Sequence, residues 1–365
     1  MLNNKTIGVV IPAYNEEKQI RLVLDSMPSF VDRIVVINDG SGDNTAEVVG
    51  EYMKKLPASG LTLPSIVGTL VPNKYNLADQ LLNDGLIAEN QNLTPCEVIE
   101  VEKDRGRIIL INLNKNSGVG AAVARGYKWC KDHAIDCVVK IDGDGQMDPG
   151  EIESICHPVV FEGIDYVKGN RLIHKSAHLV IPRVRFLGNS ILSILTKVAS
   201  GYWSISDTQT AFTAISSEAL NSIDLAGIYP IYGYPNDLLV KLNINFCSIR
   251  EVAIKPVYRI GEESKMKIRR VIPRLSWLLI RLFFKRIWNK YLFKSFHPLF
   301  MLYHIAMILL VVSIPFLVKI LILAFKDLQA NPVTVLAFVF LFISGFQSLL
   351  FAMWMDIQDN DRLQR

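Results

Sequence analysis

The chain has 365 residues, half of them hydrophobic, with 39 Lys and Arg against 35 Asp and Glu, a net charge of +4 and a mean hydropathy of +0.26. That balance excludes a disordered chain and is too apolar for an ordinary soluble globule, so a membrane segment is expected. The five cysteines, Cys96, Cys130, Cys137, Cys156 and Cys247, are odd in number and form no CxxC pair, which argues against a disulfide framework or a zinc site and for reduced thiols in a cytosolic compartment.

In chain order, the first apolar run, "TIGVVIP", is short, ends at a proline and lacks a processing site, so it reads as a strand and not as a signal peptide. Apolar runs at 6–12, 33–38, 107–112, 137–142 and 166–169 alternate with helix-like segments at about 17–27, 45–56, 119–133 and 149–161. This alternation predicts an α/β fold with a mostly parallel sheet. Residues 57–105 form a Leu/Pro/Asn-rich insertion, longer than connections usually are, and are expected to carry some structure of their own. Residues 265–294 hold ten Lys or Arg and no acid; without them 29 basic residues face 35 acidic ones. Interleaved with apolar and aromatic residues, these cations predict amphipathic juxtamembrane helices on an anionic bilayer rather than a nucleic-acid patch. Two apolar stretches follow, 298–318 and 333–355, each about long enough to cross hydrocarbon and joined by "KDLQAN". The expected division is 1–260 catalytic, 261–295 juxtamembrane, 296–355 two transmembrane helices and 356–365 a tail. The positive-inside rule puts the catalytic part and the tail in the cytoplasm, at a cell (inner) membrane.

Parallel sheets bind ligands beyond the carboxyl ends of their strands, and the unusual residues lie at those ends: "PAYNEE", "NDGSGDNT", "NKNSGVGAA" and "DGDGQMDP". "SGVGAAV" approaches a dinucleotide fingerprint, but Val123 occupies the third small position and the first turn has no glycine. "DGDGQMD" resembles the start of a calcium loop, yet Met147 replaces the required glycine. Carboxylates as closely spaced as Asp142, Asp144 and Asp148 repel one another unless something positive lies between them. Asp148 before Pro149 reads as a helix N-cap, which accounts for one of the three.

Together the four strand ends resemble the family 2 glycosyltransferases of the GT-A fold, and among them the dolichol-phosphate mannose synthases and their bacterial polyprenyl-phosphate relatives. "PAYNEE" is similar to P-x-Y-N-E, "INDGSGDNT" to V-D-D-G-S-x-D-x-T with Asn38 in place of the first aspartate, and "DGDGQMDP" to D-A-D-x-Q-x-D-P. The resemblance runs from about residue 6 to residue 270 and extends to the paired membrane helices. It implies a nucleotide-sugar donor, UDP- or GDP-linked, and a metal site of Asp142, Asp144 and Gln146 for Mg²⁺ or Mn²⁺, hard cations that take oxygen ligands. Pro12, Tyr14 and Glu16 would line the nucleotide pocket and Asp39 would face the base or ribose, with Asp43 and Asn44 forming a turn. Gly118 and Gly120 would allow close backbone approach to the donor, with packing as the alternative.

"VKGNRL" and "IPRVRFLGNSILSIL" resemble the acceptor segments, making Arg171 and Arg185 candidates for gripping a lipid phosphate. "SDTQTAFT" departs from D-x-x-S-G-F-R at Ala211 and Thr213, and "YRIGEESKMK" makes Arg259, Ser264 and Lys265 candidates for closing over the donor phosphates. The implied activity is inverting transfer of a sugar to a polyprenyl phosphate at the cytosolic membrane face, in a possible homo-oligomer. A hydroxyl acceptor on a lipid-linked saccharide would instead need a base, for which Asp237 is the candidate. A non-catalytic nucleotide-binding scaffold is the alternative of another class.

Overall fold

The protein is described here from a computed structural model that covers residues 1–55, 61–64, 73–100, 106–177, 183–257 and 268–365, with the backbone alone for 183–191 and 268–272. β1 (Ile7–Ala13) lies at the centre of the sheet, parallel to β2 (Arg33–Asn38) on one side and to β5 (Cys137–Lys140) on the other. β4 (Ile108–Leu113) continues the parallel set beyond β2. The sheet order is β3-β4-β2-β1-β5-β7-β6-β8. β3 (Cys96–Ile99) is antiparallel to β4, and β7 (Thr213–Ser216) is antiparallel to both β5 and β6 (Tyr166–Asn170). β8 (Ile249–Ala253) lies parallel to β6 at the other edge.

The central strands are apolar at successive positions because both faces are covered. Val10, Val35, Ile37, Ile109 and Ile111 point to one face and pack with Ala122, Val123 and Tyr127 of α4 (Val119–Asp132). Ile7, Val9, Ile11, Ile34 and Val36 point to the other. There they meet α1 (Ile20–Asp25), α2 (Thr45–Lys55) and α5 (Ile152–Glu162) through Val23, Val49, Ile155 and Val159. The expected α/β sheet is therefore present, and its parallel strands begin and end close to the apolar runs. The insertion carries α3 (Leu77–Asn92) and edge strand β3. The short strands β7 and β8 were not anticipated: β7 has four residues and β8 places Arg250 and Glu251 inside an edge strand, so neither presents an apolar run.

The remaining helices are α6 (Arg183–Ser200), α7 (Ser217–Ser222) and α8 (Tyr234–Ile244), followed by α9 (Ile268–Trp288) and a π-helical turn, Asn289–Lys294. α9 turns its apolar side inward. Leu275, Leu278, Leu279 and Leu282 are buried with Ala199 of α6 and Val240 and Ile244 of α8. Its exposed side alternates cations with aromatics: Arg274, Trp277, Arg281, Lys285 and Trp288. Two of the ten basic residues, Arg286 and Lys290, are fully buried and do not belong to that face.

α10 (Pro298–Phe325) and α11 (Pro332–Asp361) are long and apolar enough to cross a membrane, and their most apolar windows are 6% and 11% buried. Core helices of a soluble protein bury such windows, so the exposure of this pair fits a membrane anchor. Asp356–Asp361 continue α11 as helix and do not form a separate tail.

Because α9 supplies one wall of a core, removing residues 261 onward uncovers Ala199, Val240 and Ile244 as well as deleting the anchor. Leu279→Ala is expected to lower stability by about 2–5 kcal/mol, whereas half-exposed Ile280→Ala should change it by roughly 0.5 kcal/mol or less. Denaturant midpoints of the two variants in detergent test this.

Candidate active site

The parallel pairing of β4, β2, β1 and β5 brings their carboxyl ends to one edge, and backbone hydrogen bonds tie the loops together there. Asp39 N–H donates to the Ala13 carbonyl at 2.9 Å, and Gly143 N–H to the Pro12 carbonyl at 3.3 Å. Asn15, in the left-handed region at φ +55°, accepts from Gly42 N–H, and Glu16 N–H donates to Thr45 Oγ1. Asp43 accepts from the backbone of Thr45 and Glu17, so the expected turn before α2 is present. Pro12 is buried in this seam, while Tyr14 is 39% exposed at its rim.

Asp39 is 4% exposed and accepts from Ser117 N–H at 2.7 Å and Gly118 N–H at 2.9 Å. Burial raises its carboxyl above the ordinary value, and these two backbone donors oppose the rise. It was expected to face the base or ribose. Its two oxygens instead hold the loop carrying Gly118, so two of the nucleotide-site candidates form one mechanical unit. Gly118 has φ +94°, and a Cβ there would lie 2.5 Å from the Pro230 carbonyl oxygen. At Gly120 a Cβ would lie 2.0 Å from that of Tyr229. The close approach these glycines permit is to segment 229–231, which accepts from Gly120 N–H through Pro230. It is the packing alternative that the geometry displays.

At the end of β5, Lys140 is buried and its ammonium pairs with Asp142 Oδ1, 5.8 Å from the Tyr234 ring centroid. Asp144 accepts from Gln146 N–H at 3.0 Å. Burial first, then the negative charges of Asp142 and Glu16, push the Asp144 carboxyl up to about 6, against the opposing effects of the Gln146 N–H and Lys140. Among the described residues no group of three or more His, Cys, Asp and Glu side chains could hold a metal. Two carboxylates in an under-neutralised field do fit a hard divalent cation of the kind that completes its shell with water and substrate phosphates. Asp148 caps the short 3₁₀ turn at Pro149 by accepting from Gly150 N–H, as expected.

At the end of β6, Arg171 directs its fork at buried Asp207: Nε to Oδ2 at 2.9 Å and Nη2 to Oδ1 at 3.1 Å. Burial would raise the Asp207 carboxyl, but the Arg171 guanidinium, Lys168 and the Arg171 N–H together outweigh it and hold the group below the usual value. The fork expected to grip a lipid phosphate is thus engaged within the chain, with the Arg171 side chain 23% exposed. Glu251 of β8 accepts from the backbone N–H of Ser206 and Asp207 and from Asn170 Nδ2. Lys168 donates to the Thr210 carbonyl, and burial pushes its ammonium down to about 8. Asp237 is 4% exposed, accepts from Tyr229 N–H at 3.0 Å and pairs with Lys241 Nζ at 2.7 Å. Of the remaining candidates, the Arg185 side chain, Arg259, Ser264 and Lys265 lie outside the description. Sequence reading missed Lys140, Asp207, Lys241 and Glu251. The available signal for Lys140 was a lone cation in an apolar strand, "VVKID".

A family model described as glycosyl transferase family 2 matches residues 8–62 and 93–224, just over half of the chain. The chain belongs to glycosyl transferase family 2. It is 28% identical over 256 residues to the UDP-N-acetylglucosamine–dolichyl-phosphate N-acetylglucosaminyltransferase of Methanococcus voltae, covering 70% of this chain and 87% of that one. It is 26% identical over 282 residues to a dolichyl-phosphate beta-glucosyltransferase of Trichomonas vaginalis, covering 72% of this chain and 66% of that one. Among solved structures it is similar to the glucosyl-3-phosphoglycerate synthase of Mycobacterium tuberculosis, at 20% identity and a TM-score of 0.47, covering 78% and 81% of the two chains.

Asp39→Ala strands two backbone N–H groups of the loop into α4. It is expected to lower stability by about 1–3 kcal/mol and to weaken nucleotide binding. Thermal unfolding and calorimetric titration with nucleoside diphosphates check the two effects.

Proposed function

We propose that this glycosyltransferase transfers a hexose, with inversion, from a nucleotide sugar to the phosphate of a polyprenyl lipid at the cytosolic face of the membrane that anchors it. The observation that carries the phosphate acceptor is the engagement of Asp237. A hydroxyl nucleophile needs a base that it can reach, whereas Asp237 is 4% exposed and its Oδ2 takes both Lys241 Nζ and the Tyr229 N–H. A phosphate is already ionised and needs none. The dolichyl-phosphate acceptors in the relatives' names support the same reading.

In this reading Pro12, Tyr14, Glu16 and the Asp39-held loop form the nucleotide side, and Asp142 and Asp144, with Gln146, hold Mg²⁺ or Mn²⁺. The cation would supply charge neutralisation for the departing nucleoside diphosphate. Lys140 fixes the orientation of Asp142 and adds a positive charge beneath the phosphates. Arg171, kept in place by Asp207, presents its outer edge to the acceptor phosphate, with Arg185 on the adjoining helix. The cationic and aromatic face of α9 lies on the anionic lipid surface, which brings the strand ends within reach of a lipid headgroup.

Incubating the detergent-solubilised protein with a panel of nucleotide sugars and undecaprenyl phosphate, then weighing the lipid products, tests the activity. Asp144→Asn, or wild type with excess chelator, is expected to lose on the order of a hundredfold or more of the rate. Undiminished turnover in either case would remove the metal site. Asp237→Asn is expected to retain measurable turnover. Arg171→Lys keeps the charge toward Asp207 but loses the fork, and should raise the acceptor KM roughly tenfold. The reverse ranking would favour a saccharide hydroxyl.

A further inference from the structure

The membrane hairpin and the catalytic domain are joined by buried charge. Arg286 at the end of α9 and Asp356 on α11 are both fully buried and make a two-pronged ion pair, Nη1 to Oδ1 and Nη2 to Oδ2, each at 2.7 Å. The same guanidinium donates to the Ala199 carbonyl at 2.9 Å and the Val198 carbonyl at 3.1 Å. These are open carbonyls at the end of α6, where a cation is favoured. Gly201 follows at φ +78°, and a Cβ there would lie 2.6 Å from Arg286 Nη1, so the backbone makes room for the pair.

A second set of contacts reaches α8. Asn360 Oδ1, one turn beyond Asp356, accepts from Asn243 Nδ2 at 2.8 Å and from Lys290 Nζ, and Lys290 also donates to Asn243 Oδ1. Tyr291 OH donates to Asp356 Oδ1 at 2.7 Å. Residues 363–365 then pair with edge strand β8: Ile249 N–H donates to the Leu363 carbonyl at 2.7 Å and Arg365 N–H to the Ile249 carbonyl at 3.1 Å. Gln364 Oε1 accepts from Ser204 N–H. The 30 residues of α11 span roughly 45 Å against about 30 Å of hydrocarbon, so the excess is available to enter the domain.

We propose that Arg286 and Asp356 are positioning residues for transfer to a membrane-embedded acceptor: the pair fixes the acceptor-side helices at one height and orientation on the anchor. The contacts are continuous. α6, held by Arg286 at its end, meets the next loop through Ser193 Oγ and Thr208 Oγ1 at 3.1 Å, and Thr208 adjoins Asp207, the partner of Arg171. α8, held by Asn360 and Lys290, carries Asp237. Neither member of the pair touches the strand ends that carry Asp142 and Asp144. The pair is bonded directly to the end of α6, which leads to Asp207, and reaches the donor side only indirectly, through α8 and Tyr234 beside Lys140. Its loss should therefore act on the acceptor far more than on the donor. The kinetic part of this inference rests on the lipid-phosphate reading above; its geometric part does not.

The test uses the full chain in lipid nanodiscs. Asp356→Asn is expected to raise the KM for undecaprenyl phosphate tenfold or more while the nucleotide-sugar KM stays within twofold, and Asp356→Glu, which keeps the charge, should recover most of the loss. Gln364→Ala, which removes only the contacts of that side chain, should give about a threefold rise with the same selectivity and serves if Asp356→Asn does not fold. Energy transfer from a dye on Lys18→Cys to a labelled lipid reports the height of the domain whatever the acceptor, and should change in Asp356→Asn and return in Asp356→Glu. Equal effects on donor and acceptor KM, or an unchanged energy transfer in a folded Asp356→Asn protein, would overturn the proposal. A wild-type protein that gives no lipid product would count against the function instead, leaving the energy transfer to decide the positioning role.

Discussion

The parallel pairing of β1 with β2 and β5, and of β2 with β4, is the constraint on which the rest of the molecule depends. Parallel strands end on the same side, so four loops distant in sequence meet along one edge without any of them needing its own scaffold. The arrangement requires both faces of the sheet to be covered, and two apolar layers of branched side chains do this. In space the antiparallel strand β7 lies between β5 and β6 and ends the parallel set, and beyond it β6 and β8 carry Asn170 and Glu251.

Charge is treated differently in the two halves. Beyond β5 and next to the long apolar helices, three ion pairs are matched, Arg171 with Asp207, Lys241 with Asp237 and Arg286 with Asp356, while buried Lys168 meets the Thr210 carbonyl. Arg171–Asp207 and Arg286–Asp356 each fix one segment against another, because separating the members would leave a charge stranded in a poorly solvating interior, whereas Lys241 and Asp237 lie one turn apart on α8. At the end of β5 the balance is incomplete. Lys140 serves Asp142, while burial and negative neighbours raise the carboxyl of Asp144. A buried carboxylate beside an ion-paired one, with a single cation between the two, leaves a net negative charge that suits a divalent cation sharing its shell with water and substrate phosphates.

The membrane anchor is part of the same construction. α9 contributes core leucines on one side and a cationic, aromatic surface on the other, so it joins the catalytic domain to the two long apolar helices that follow it. α11 returns beyond its apolar span and ends against β8. The helix–sheet domain and the hairpin therefore share contacts at both ends of the hairpin.

The parallel strands, the helices between them, the two long apolar helices and the loops carrying Asp39, Asp142 and Asp144 were all legible in the residue order, because period, apolar length and turn chemistry act over a few residues at a time. Short strands such as β7 and β8 were not, since four or five residues with charges among them acquire strand geometry only from their neighbours. The sequence by itself determined the fold class, the family and which residue types stand at the strand ends. Only the tertiary structure decided how those residues are used: Asp39 holds a glycine loop, the Arg171 fork meets Asp207, Asp237 is paired with Lys241, and two cations of a basic run are buried. A carboxylate or guanidinium has no fixed partner in the chain order, and its role follows from which opposite charge or backbone group the fold brings within about 3 Å.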